Sequence, residues 1–141
     1  KIFIRDCFRV VSIHFINTIS IISCISIINT HDDNTIDYRE TFRVLYLNQC
    51  NQVLGIKTIS TGGVTNSLVD VRTILQGALL TNAVAMILGH NHPSGNSKPS
   101  REDERITEQI NKAAQLLNIR VLDHIVYTRE NHFSFSDQGR L

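Results

Sequence analysis

Three features of the 141-residue sequence predict an α/β domain, a mixed sheet with helices on its faces. Residues 83–89 (AVAMILG) are a short continuous apolar run, as expected of a strand buried on both faces. Residues 71–82 and 100–117 place apolar side chains at helical spacing. β-branched and aromatic runs lie on either side, giving the order strand, strand, helix, strand, helix, strand, strand.

Taken in order, TFRVLYLN (41–48) and QVLGIKTIS (52–60) are joined by a short polar turn and read as a hairpin. Gly62 and Gly63 mark a turn that needs unusual backbone angles. Val71, Ile74, Leu75, Ala78 and Leu79 line one face of the first helix. The second helix sets Ile106, Ile110, Ala113, Ala114 and Leu117 against a charged face. NIRVLDHIVYT (118–128) and HFSFSD (132–137) close the chain as two strands.

The front is different. Residues 10–29 (VVSIHFINTISIISCISIIN) hold no Asp, Glu, Lys or Arg and are long enough to span a bilayer. Eight of them are Ser, Thr, Asn or His, which disfavours a membrane segment. Lys1, Arg5 and Arg9 resemble the start of a signal peptide, but no small-residue cleavage site follows. A packed strand or helix, or an appended segment, is expected there, with residues 30–40 as a polar linker. The only methionine is Met86, so the sequence is expected to be a fragment or trimmed at its front.

Composition excludes several classes. The formal charge is +1 and Lys and Arg form no run, so no basic footprint for DNA is present. Cys7, Cys24 and Cys50 are odd in number and widely spaced. They suit a reducing, cytoplasmic setting rather than a disulfide scaffold or a cysteine zinc knuckle.

Chemistry concentrates in LGHNHPSGNSKPSRED (88–103). On a strand, positions i and i+2 point the same way, so His90 and His92 are expected to present both rings to one side. Pro93 and Gly95 turn the chain, and Ser100 and Asp103 start the next helix, where Asp103 can swing back. Two His nitrogens and a carboxylate oxygen would leave the fourth tetrahedral position of Zn²⁺ open. A water there would have a pKa of about 7 and act as a nucleophile. A competing reading fits the same residues. Ser100 and Asp103 also have the spacing of a capping box, in which Asp103 binds backbone and no metal. Spacing alone leaves both open.

Other chemistries are not supported. A deaminase would need His-x-Glu with a Pro-Cys-x-x-Cys, but His92 stands at the Glu position and no Cys pair follows. The His-Glu-x-x-His helix, the Gly-x-Ser-x-Gly elbow, the phosphate loop and the dinucleotide fingerprint do not occur.

The typed spacing His90-x-His92-x7-Ser100-x2-Asp103 resembles the JAMM (MPN/JAB) motif of zinc isopeptidases. GHNHPSGNSKPSREDERIT, ETFRVLYLN, ISTGGV, LLNIRVLDHIVYT and SFSDQGRL are similar to segments of the bacterial RadC family, from about Thr35 to Leu141. Residues 35–141 are accordingly read as a RadC-like JAMM/MPN domain and 1–34 as an N-terminal extension of uncertain nature. No helix-hairpin-helix region is recognisable ahead of the domain.

The resemblance implies a cytidine-deaminase-like fold and a zinc hydrolase acting on a protein or peptide. His90, His92 and Asp103 would be the ligands. It also assigns Glu40, the only Glu before His90, as general base, and Ser100 as a donor to the developing oxyanion. The alternative it carries is a DNA-repair-associated accessory module, which the near-neutral charge does not favour. His124 is expected to pack or lie at the surface, and Asn91 and Ser94 to shape the motif turn. His14, His31 and His132 have no identifiable partner, and the oligomeric state has no signature.

Overall fold

A computed structural model describes residues 21–29, 36–62 and 69–141. Among the described residues, eight elements follow in chain order: α1 (Ile21–Asn29), β1 (Thr41–Leu47), β2 (Val53–Thr61), α2 (Val71–Leu80), β3 (Ala85–Asn91), α3 (Arg101–Leu116), β4 (Arg120–Tyr127) and β5 (His132–Ser134). The strands form one mixed sheet in the order β2-β1-β3-β4-β5. Among the described strands only the β3–β4 pair is parallel, and α3 supplies its crossover. This is the α/β architecture that the sequence pattern predicts.

Alternation along β1 and β3 divides the interior into two cores. Phe42, Val44, Tyr46, Met86 and Leu88 face α2 and α3, where Ile74, Ala78, Ile110 and Ala114 meet them. Leu45, Leu47, Ala85 and Ile87 face the other way, together with Ile125 and Tyr127 of β4. Cys24 and Ile28 of α1 close that second core. Helix and sheet approach closely on the first face. A Cβ on Gly77 would stand 2.2 Å from Tyr46 Oη, so only glycine lets the Tyr46 ring lie against α2. The Tyr46 hydroxyl then donates to Ile74 O at 3.0 Å.

The front segment gains a partial answer. Ile21–Asn29, within the run set apart from the domain by its composition, is a helix packed on the sheet. Residues 10–20 lie outside the described residues, as do His14, His31 and Gly63. Among the described residues, no helix is long and apolar enough to cross a membrane.

Element ends shift by one to three residues from the sequence reading, the largest shift being β5, which ends at Ser134 rather than at 137. The important shift is in β3, which runs through Asn91 rather than stopping at Gly89, so His90 belongs to the sheet. Because β3 and β4 run parallel, the carboxyl end of β3 opens beside the amino end of α3. Sites of open α/β sheets gather at such a position.

Candidate metal centre

β3 delivers the first ligand candidates. His90 pairs with Phe42 across the sheet and is 1% exposed. His92 follows the strand, its backbone N–H donating to Tyr127 O at 3.0 Å. The extended geometry therefore persists past the strand end and keeps both rings on one side. Their Nε2 atoms lie 2.9 Å apart.

The loop after His92 turns back on it. His92 Nδ1 is 2.8 Å from Asn96 O. A carbonyl only accepts, so the ring hydrogen sits on Nδ1 and Nε2 presents a lone pair. Ser94 is exposed and its Oγ accepts from Asn96 N at 3.4 Å, a turn-shaping contact.

α3 brings the carboxylate. Ser100 caps the helix, its Oγ accepting from Asp103 N at 3.1 Å, while Ser100 N and Oγ donate to Asp103 Oδ2 at 2.7 and 2.6 Å. The capping box is thus complete. The same carboxylate also faces the histidines, Oδ1 at 3.2 Å from His90 Nε2 and Oδ2 at 3.4 Å from His92 Nε2. The two readings that compete in the sequence coexist, because capping draws Asp103 toward the strand end instead of away from it.

Glu40 arrives from the opposite direction, on the residue before β1. A ligand atom from each of Glu40, His90 and His92 lies within 4.8 Å of the other two. Asn91 holds this segment in place. Its side chain points to the other side of β3 and is buried, its Oδ1 accepting from Thr41 N at 2.8 Å. Its Nδ2 donates to Ile36 O and Arg39 O, both at 2.8 Å. The main chain is therefore tied on both sides of Glu40, and Gly62 N donates to Glu40 O at 2.8 Å. Asn91 is thus a clamp within the sheet, whereas the sequence suggests a turn residue.

His124 is packed, one of the two outcomes expected of it, but it does more than fill space. It is fully buried, with Nε2 2.8 Å from His90 Nδ1 and Nδ1 2.5 Å from Thr107 Oγ. It is neither a surface residue nor inert filling. Thr107 escaped the sequence reading altogether. The available signals were a polar Asp-His pair inside an apolar strand, and a Thr one helical turn beyond Asp103. His132, by contrast, is exposed at the start of β5.

Electrostatics follow from this packing. Burial alone would raise the Asp103 carboxyl, but the two histidine rings that face it outweigh burial and hold the group well below the usual carboxylate range. Burial lowers His92, and the neighbouring Asp103 carboxylate and Asn96 carbonyl reverse that to a net increase. Burial, reinforced by His90, holds His124 well below the ordinary histidine value.

The donor set fits a metal. Ligand atoms on a tetrahedral zinc with bonds of about 2.0–2.1 Å stand about 3.3 Å apart. His90 Nε2 and His92 Nε2 stand 2.9 Å apart, with Asp103 Oδ1 3.2 Å from the first and Asp103 Oδ2 3.4 Å from the second. Lone pairs converging so closely repel unless a cation sits among them. Two imidazoles and a carboxylate suit a borderline ion better than a hard, all-oxygen one.

Comparison with known proteins agrees with this fold. A family model described as a RadC-like JAB domain matches residues 9–140. A UPF0758 protein of Flavobacterium johnsoniae is 41% identical over 100 residues, 71% of this chain and 44% of that protein. Another, from Salinibacter ruber, is 43% identical over 101 residues, 72% of this chain and 43% of the relative. UPF0758 protein YeeS of Escherichia coli K12 is 45% identical over 103 residues, 73% of this chain and 70% of YeeS. The chain thus spans less than half the length of the Flavobacterium and Salinibacter relatives. The family match takes in α1 at one end and β5 at the other, and the chain belongs to the RadC family of JAB-domain proteins.

Proposed function

We propose that the chain is a zinc-dependent hydrolase of JAMM type that cleaves an amide or isopeptide bond in a protein or peptide. The observation that supports it best is the convergence of His90 Nε2, His92 Nε2 and the Asp103 carboxylate within 3.4 Å, with Glu40 at the rim. His90, His92 and Asp103 are the proposed ligands. A zinc ion held by them would supply a Lewis acid and make water a better nucleophile at neutral pH.

The protein's own groups do the rest. The Glu40 carboxylate accepts a proton from the attacking water and returns it to the leaving amine nitrogen as the C–N bond breaks. Ser100 serves the developing oxyanion by rotating its hydroxyl hydrogen away from Asp103 Oδ2, its present acceptor. The helix cap survives this rotation, because Ser100 Oγ can still accept from Asp103 N. Family membership supports the reading at the level of the domain.

A fluorogenic peptide joined through a lysine ε-amide tests it. The full chain is expected to release the amine with zinc present, to stop when a chelator strips the metal, and to resume when zinc is restored. Cleavage indifferent to the chelator would rule out the metal-dependent reaction.

A further inference from the structure

Resting on the metal-centre reading above, we infer that Thr107 is a positioning residue that sets zinc affinity, fixing through His124 which nitrogen of His90 carries its hydrogen. Thr107 lies on α3, and its hydroxyl bonds to the Asp103 main chain and to His124 rather than to a proposed ligand side chain. Its Oγ stands 2.5 Å from Asp103 O and 2.5 Å from His124 Nδ1. The hydroxyl has one hydrogen, and a carbonyl oxygen can only accept. That hydrogen therefore goes to Asp103 O. Toward His124 the Thr107 oxygen is then an acceptor, and His124 Nδ1 must be the donor.

The next link follows in the same way. His124 is fully buried, with ring centroids 5.4 Å from Phe42 and 4.9 Å from Phe135, so a second ring hydrogen with its charge is disfavoured. Its Nε2 is consequently a lone pair, and the His90 Nδ1–H donates to it at 2.8 Å. His90 is left with a lone pair on Nε2, the atom facing His92 and Asp103. Reversing any link would put a hydrogen on His90 Nε2 and block the site. His92 needs no such relay, because the Asn96 carbonyl fixes its ring directly. The parallel register of β3 and β4 makes the relay possible by setting His124 opposite Leu88, on the face that carries His90.

Zinc dissociation constants of the full chain, measured by competition with a chromophoric chelator, test this. Thr107→Val keeps the shape and removes the hydroxyl, so affinity is expected to fall about 10–100-fold, as when a partner behind a ligand is lost. Thr107→Ser keeps the hydroxyl and is expected to bind within a few-fold of the parent. A Val variant that binds as tightly as a zinc-binding parent would overturn the role of Thr107 and leave the metal centre standing. A parent that does not bind zinc would overturn the metal-centre reading and this inference with it. A second readout does not depend on how the Val variant folds. Long-range ¹H–¹⁵N correlation spectra of the zinc-loaded parent should place the His124 hydrogen on Nδ1, and a hydrogen on Nε2 would contradict the relay.

Discussion

Glu40→Gln is expected to retain about one zinc per chain while turnover on an isopeptide probe falls by a factor of about 10²–10⁴, the usual contribution of a general base. The amide keeps the size of the side chain but cannot take up the water's proton. Backbone placement should survive the change, because Asn91 bonds to Arg39 and Thr41 on either side and Gly62 N–H holds Glu40 O. None of these bonds involves the Glu40 carboxylate. Metal analysis beside rate measurement separates the outcomes. Full activity with full metal would move the base to another residue. Zinc lost along with activity would instead make Glu40 a ligand, a role its 4.8 Å grouping with His90 and His92 permits.

Replacing both His90 and His92 with alanine is expected to take zinc from about one ion per chain to background. Zinc at about one hundred times its Kd stabilises a folded protein by about 2.7 kcal/mol, provided that it binds the unfolded chain negligibly. The parent's melting temperature should therefore rise with added zinc, and the double variant's should not respond. His92→Ala alone guards against a folding artefact. Its side chain is partly exposed, whereas His90 is enclosed against Phe42 and His124. A single variant that folds normally and still gains stability from zinc would place the ion elsewhere.

How much of this is legible in the sequence depends on the distance over which each feature is encoded. Helices α2 and α3 are written in the spacing of Ile74, Ala78, Ile110 and Ala114, a pattern that needs no knowledge of the rest of the chain. β3 is visible as an apolar run, and the pairing of His90 with His92 follows from the two-residue period of a strand. The last turn of β3 is less visible, since polar Asn91 looks like the end of a strand until its partners on the 36–41 segment are known.

His124 and Thr107 are separated from His90 by the whole of α3 or by its loop. Their meeting depends on the register between β3 and β4, which a single sequence does not specify. α1 is ambiguous for a different reason. Its serines dilute the apolar face, although Cys24 and Ile28 are buried against the sheet. The choice between cap and ligand at Asp103 could not be made from spacing, because one carboxylate has two oxygens and its position allows both contacts.

Zinc-edge X-ray absorption on the zinc-loaded full chain tests the central claim most directly. The expected spectrum has two imidazole nitrogens at about 2.0–2.1 Å and oxygen donors at about 2.0–2.2 Å, with no sulfur. In the His92→Ala variant the imidazole count should drop by one. A spectrum with thiolate donors, or a fully folded parent that takes up no zinc, would contradict a metal centre built on His90, His92 and Asp103.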